Sequence, residues 1–115
     1  MTKISIDQLY DNYLTTLSYL DEKYVNGSDA ELSYAVSELE GDSHTFLHIN
    51  TTQLLIEARL ITDQITVKSH SLRTLINDLL LNKPTMDEIR LSRDWNIARL
   101  LAKEILIEIQ EARGD

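Results

Sequence analysis

Two histidines four positions apart, His44 and His48, have a spacing that could support chemistry. On a helix this spacing places both imidazoles on one face, as in two-histidine metal pairs. Glu40 or Asp42 could add a carboxylate ligand. A metal site needs further ligands, and His70, the third histidine, is distant in sequence. We therefore predict exposed histidines near a helix start and no bound metal.

The sequence around His70 resembles the phosphorylated segment of histidine phosphotransfer domains, which reads His-x-Leu-Lys-Gly on a helix of a four-helix bundle. Leu72 and Arg73 match the leucine and the basic residue of that segment. Thr74 stands where the family has glycine, and its side chain would crowd the surface on which a partner docks. The resemblance implies phosphotransfer at His70, whereas the simpler interpretation, which we adopt, is a solvated histidine.

Other catalytic patterns are missing from the 115-residue sequence. It has no cysteine, which excludes zinc–thiolate sites, iron–sulfur clusters and thiol catalysis. It also lacks a phosphate-binding glycine loop, a Ser/His/Asp pattern and carboxylates spaced as a tuned acid–base pair. We predict a protein that is not an enzyme and that carries no cofactor.

The excess negative charge lies in the first third of the chain, together with all five tyrosines. Residues 1–42 contain nine acids and two bases, a net charge of −7 out of −8 for the whole chain. The basic residues of the last third, Arg90, Arg93, Arg99 and Lys103, alternate with acids, which predicts i,i+4 pairs on a solvated helix. The charge distribution favours a basic protein partner and argues against direct binding of nucleic acid.

The elements that carry these residues are predicted to be helices, since the chain has only three glycines and one proline. Ser5 with Gln8 and Ser28 with Glu31 form capping boxes. The first helix has an apolar stripe from Ile6 to Tyr24 and is predicted to end at Asn26-Gly27; its tyrosines at positions 10, 13 and 24 are predicted to be core residues. The second helix is predicted to end at Gly41, which gives an N-terminal helical hairpin.

The remaining sequence predicts two long helices. Residues 44–82 could form one helix, with a break or kink expected at 66–71, where the apolar stripe loses step and β-branched residues occur. Thr85 and Glu88 cap a last helix that runs to about Ala112. One face of that helix has heptad spacing and predicts a seam between copies of the chain, formed by Leu91, Trp95, Ala98, Ala102, Ile105 and Ile109.

The predicted fold is therefore all-α, a single domain over residues 1–115. We expect a four- or five-helix bundle in which an N-terminal hairpin precedes a long helix, with the kink or break expected at 66–71, and a long C-terminal helix. The longest unbroken apolar runs are three residues, so no membrane association is expected. The absence of cysteine favours a cytoplasmic location.

For function, the sequence predicts a small acidic protein-interaction module, an adaptor or regulator that binds a basic surface or helix of a protein partner. One alternative is an inhibitor or immunity protein that mimics nucleic-acid charge and occupies a cationic cleft. Another is a structural homo-oligomer, such as a homodimer, paired through the seam. The predicted partner-binding residues combine acids with two surface tyrosines: Asp11, Tyr19, Asp21, Glu22, Glu31, Tyr34 and Glu38.

Overall fold

A computed structural model describes residues 5–112. Within this range the chain is all-α, as predicted, and forms seven helices without a strand. The helices are α1 (Ile6–Ser18), α2 (Glu22–Val25), α3 (Asp29–Phe46), α4 (Ile49–Glu57), α5 (Asp63–Leu81), α6 (Met86–Leu91) and α7 (Arg93–Ala112).

The three predicted capping boxes are confirmed. The side chains of Ser5, Ser28 and Thr85 accept the amide protons of the residues three positions later, and the Gln or Glu there reaches back to the cap residue's backbone. Each box satisfies two amide groups that a helix start leaves without an intrahelical partner. Local sequence therefore fixes where α1, α3 and α6 begin.

The first predicted helix is interrupted earlier than expected. Its stripe residues Tyr10, Tyr13 and Leu17 are buried, but α1 ends at Ser18 and the chain turns before α2. Asp21 promotes this break because its carboxylate accepts the backbone N–H of Lys23 at 2.8 Å and so caps α2. The prediction of one helix to Asn26-Gly27 was wrong.

The predicted stop at Gly41 was also wrong, because α3 continues through it to Phe46. Glycine in a helix interior costs roughly 1 kcal/mol relative to alanine. Here the helix buries Leu39 and Ser43 on either side of Gly41, and this packing outweighs the cost. The true break comes at Leu47, after which His48 caps α4.

No break occurs at residues 66–71, because α5 passes through them without interruption. The buried positions are Ile65, Ser69, Leu72 and Ile76, and they are spaced by 4, 3 and 4 residues. Ser69 is the polar member of this stripe, so a search for apolar residues misses it. The chain bends instead before α5, where Arg59 adopts φ +62° and ends α4.

The predicted C-terminal helix is divided at Ser92 into α6 and α7, and α7 extends to Ala112, the last described residue. It packs against α5, α6 and α1 of the same chain. The predicted seam residues Trp95, Ala98, Ala102, Ile105 and Ile109 are all buried in this intramolecular core. A seam between copies built on these residues would therefore require the bundle to open. Leu91, at the end of α6, is 84% exposed.

A lysine joins the two longest helices at the protein surface. The Nζ atom of Lys68 on α5 lies 2.5 Å from carboxylate oxygens of both Glu104 and Glu108 on α7. These ion pairs raise the pKa of Lys68. The bridge links α5 to α7 at the surface, beside the buried stripe.

Candidate functional site

Three tyrosines meet where the turn between α1 and α2 packs on α3. The ring centroids of Tyr19 and Tyr24 are 6.2 Å apart, and those of Tyr19 and Tyr34 are also 6.2 Å apart. The second pair is edge-to-face, with an interplanar angle of 82°. We call Tyr19, Tyr24 and Tyr34 the tyrosine cluster. The break after Ser18 creates it, because the turn carries Tyr19 toward α3.

The cluster is partly open to solvent. Tyr34 is 55% exposed, whereas Tyr19 and Tyr24 are half-buried and pack on the hydrophobic core. Tyr10 and Tyr13 lie in the core, as predicted. Tyr34 therefore presents an exposed aromatic ring, and the two tyrosines beside it are held in place by the core.

Two carboxylates lie beside this ring pair, on α3. Burial raises the pKa of Tyr19 to about 12, and its contact with Tyr34 and the negative charges of Asp42 and Glu38 add to the shift. The Tyr19 phenol therefore stays protonated at neutral pH. We call Tyr19, Tyr34, Glu38 and Asp42 the acidic tyrosine face. Its phenolic and carboxylate oxygens can accept hydrogen bonds from ammonium and guanidinium groups.

Asp42 was missing from the predicted site. Positions 34, 38 and 42 are spaced by four residues and therefore share one face of α3. The spacing is visible in the sequence, but the predicted helix end at Gly41 separated Asp42 from the other two. Asp42 belongs to the face because α3 continues through Gly41.

The other predicted acids have different surroundings. Asp21 caps α2, and the carboxylate of Glu31 accepts a hydrogen bond from the Ser28 hydroxyl at 3.1 Å in its capping box. Asp11 is exposed on α1, about 12 Å along the helix axis from Tyr19. The structure therefore groups Tyr19, Tyr34 and Glu38 and leaves these three acids outside the face. The fourth, Glu22, begins α2 and its charge acts on Arg99.

Arg90, in the last third of the chain, contacts the acidic first third. Its guanidinium pairs with the carboxylate of Asp29 and donates to the carbonyl oxygens of Val25 at 3.2 Å and Gly27 at 3.0 Å. It thereby ties α6 to the connection between α2 and α3. The predicted i,i+4 pairing on a solvated helix was wrong for this residue, whose partners lie more than sixty positions earlier in the chain.

Arg99 has a similar structural role but is more deeply buried. It is 9% exposed, and its guanidinium donates to the carbonyl oxygens of Ile89 at 2.8 Å and Arg90 at 3.4 Å. Burial lowers its pKa, while the negative charge of Glu22 acts in the opposite direction. The predicted i,i+4 pairing on a solvated helix was therefore wrong for Arg99 as well. The carboxylate whose charge affects the pKa of Arg99 is that of Glu22 on α2.

The histidines do not form the expected pair. His44 is in α3, whereas His48 lies beyond its end and caps α4, with Nδ1 accepting the backbone N–H of Asn50 at 3.0 Å. The shared helical face predicted for them was therefore wrong. Within residues 5–112, no three His, Asp or Glu side chains are grouped to hold a metal ion. His70 is exposed on α5.

Comparison with protein-family models, with curated proteins and with solved structures found no match to this chain. Across the described part of the chain, no helix combines the length and the apolar character required to cross a bilayer.

Proposed function

We propose that this protein is a small acidic interaction module, an adaptor or regulator, that binds a basic surface or helix of a protein partner. The acidic tyrosine face is the binding surface in this proposal. The observation that carries it is the edge-to-face pair of Tyr19 and Tyr34, with Tyr34 55% exposed beside Glu38 and Asp42.

The physical basis is a rigid aromatic anchor set among negative charges. Tyrosine is enriched in protein interfaces because it covers a large area and loses little conformational entropy on binding. Carboxylates beside it attract a cationic partner over a distance of about one Debye length, roughly 8 Å at physiological ionic strength. Affinity for the partner should therefore fall as salt concentration rises.

The scaffold supports a fixed presentation of this face. Tyr19 is held by the core and by Tyr34, while Glu38 and Asp42 project from the continuous helix α3. Arg90 anchors the start of that helix through Asp29. A partner would meet a preformed pattern of charge and ring, which limits the ordering cost of binding.

The proposal is tested by capture of partners on the immobilised chain followed by quantitative mass spectrometry. A face variant, Glu38→Lys with Asp42→Lys, is compared with a control, Glu57→Lys with Asp78→Lys, which makes the same charge change at exposed positions on α4 and α5. We expect a protein with a basic surface to be retained by the wild type and the control and lost from the face variant. Equal retention by both variants would refute the proposal.

A further inference from the structure

A pocket of about 150 Å³ opens between the α1–α2 turn and α7. Much of its wall is apolar and includes Leu17, Leu20, Leu100 and Leu106. Leu100 is 55% exposed at this opening. An apolar cavity of roughly this size holds a benzene-sized ligand. The pocket therefore has room for one leucine or phenylalanine side chain.

Charged residues of both signs line the pocket. Asp21 and Glu22 line it and are exposed to solvent, whereas the positive charges that also line it are those of Arg99 and Lys103. Arg99 is already bonded to backbone carbonyls. Neither Asp21 nor Glu22 forms an ion pair with any residue from 5 to 112. One oxygen of the Asp21 carboxylate accepts the Lys23 amide, and the charge of Glu22 acts on Arg99. The second Asp21 oxygen and the exposed Glu22 carboxylate can still meet a cation that arrives with an apolar group.

The pocket is continuous with the tyrosine cluster. A narrow cleft lined by Tyr19 and Tyr24 shares Leu20, Asp21 and Arg99 with the pocket wall. A single docked segment can therefore contact Tyr19 and reach the pocket without crossing a separate surface. This continuity favours the partner that the acidic tyrosine face would bind.

We propose that the pocket receives one apolar side chain, leucine or phenylalanine in size, from the basic partner segment, whose neighbouring ammonium or guanidinium group pairs with Asp21 or Glu22. This inference rests on the proposed function and adds a specificity determinant to it. Charge alone would accept any basic segment, whereas the pocket selects those that carry a correctly placed apolar residue.

Two blocked, dye-labelled peptides, Lys-Lys-Leu-Lys-Lys and Lys-Lys-Gly-Lys-Lys, test the pocket by fluorescence anisotropy at low ionic strength. Burial of the leucine should make the first peptide bind about tenfold more tightly than the second. The neutral change Leu100→Gln should bring this ratio close to one. Ile107→Gln, at an exposed position on the same helix that does not line the pocket, should leave the ratio unchanged.

The outcomes separate the two proposals. Equal binding of the peptides to the wild type, or a ratio that survives Leu100→Gln, would overturn the pocket proposal and leave the acidic tyrosine face in place. If neither peptide binds, both proposals fail. Sedimentation that shows a dimer dissociated by Leu100→Gln would also overturn the pocket proposal, because a second copy of the chain would then fill it. Thermal unfolding of each variant confirms that the fold is kept.

Discussion

The phenolic oxygen of Tyr13 on α1 lies 2.5 Å from the Oγ atom of Ser69 on α5, and both residues are fully buried. Ser69 donates its one hydroxyl proton to the carbonyl of Ile65 at 2.9 Å. Tyr13 must therefore be the donor in the contact with Ser69. The bond ties α1 to the middle of the helix that the sequence predicted to break.

Because Tyr13 donates and Ser69 accepts, removing the two hydroxyl groups should have unequal effects on stability. Ser69→Ala leaves the buried Tyr13 hydroxyl without its acceptor and should lower the free energy of unfolding by about 1–3 kcal/mol. Tyr13→Phe leaves Ser69 bonded to Ile65 and should cost about 1 kcal/mol or less. Urea unfolding of both variants and of the double variant measures the difference. A larger loss for Tyr13→Phe would contradict the assigned donor.

Stability should fall at alkaline pH. The pKa of Tyr13 is raised to about 12 by burial, that of Tyr19 to about 12, and that of Lys68 is raised by its ion pairs. The unfolded chain releases these protons near pH 10, whereas the folded chain retains them. The stabilisation is therefore complete below about pH 10 and is lost as pH rises toward about 12.

Urea midpoints measured between about pH 9 and pH 11 check this dependence. Tyr13→Phe removes one of the raised groups and should reduce the decline over that interval. Near-ultraviolet absorbance should show that some phenols ionise well above the ordinary tyrosine pKa. A flat stability profile, or ionisation of all five tyrosines near pH 10, would disagree with the buried and paired environments of these groups.

Loss of the Arg90 guanidinium should destabilise the connection between α2 and α3. Arg90→Met keeps much of the aliphatic stem but removes the bonds to Asp29, Val25 and Gly27, and should cost about 1–2 kcal/mol. Arg93→Met is the matched control, since Arg93 is exposed and forms no ion pair within residues 5–112. Denaturant unfolding should place the control within about 0.5 kcal/mol of the wild type. An equal decrease in the free energy of unfolding for Arg90→Met and Arg93→Met would show that the contacts of Arg90 do not stabilise the fold.

The end of α4 offers a stabilising substitution. Arg59 has φ +62°, and the amides of Arg59 and Leu60 donate to the carbonyls of Ile56 at 2.8 Å and Leu55 at 2.9 Å, which is a Schellman motif. The left-handed conformation costs a non-glycine residue about 1–2 kcal/mol, a cost that glycine avoids. Part of this gain is offset because glycine has a higher conformational entropy in the unfolded chain. Arg59→Gly should therefore raise the free energy of unfolding by about 0.5–1 kcal/mol. A lower melting temperature would contradict this account.

Sequence alone predicted the all-α class and the three capping boxes, because caps depend on residues three positions apart. It misplaced the helix ends at Gly41 and at residues 66–71, where tertiary packing overrides local preference. Ser69 completes the buried stripe of α5 only because Tyr13 provides a partner from α1. A polar residue with a long-range partner cannot be recognised as part of a core from periodicity alone.

The candidate site was also predictable only in part, because some of its contacts depend on the tertiary structure. The sequence predicts Tyr19 and Tyr34 at the surface because they lie outside apolar stripes among acids. Tyr34 is exposed, whereas Tyr19 is half-buried against the core. Their contact with each other depends on the turn after Ser18, and Asp42 joins them only when α3 continues through Gly41. The structural roles of Arg90 and Arg99 depend on long-range contacts with backbone carbonyls, which leave no pattern in the sequence.

The most direct test of the acidic tyrosine face is the affinity of the Lys-Lys-Leu-Lys-Lys peptide for the wild type and for the two charge variants at low and high salt. We predict that Glu38→Lys with Asp42→Lys weakens binding about tenfold or more, while Glu57→Lys with Asp78→Lys changes it about twofold or less. Wild-type affinity should fall as salt rises. Equal weakening by both pairs would show that only net charge matters and would contradict a binding face at Tyr19 and Tyr34.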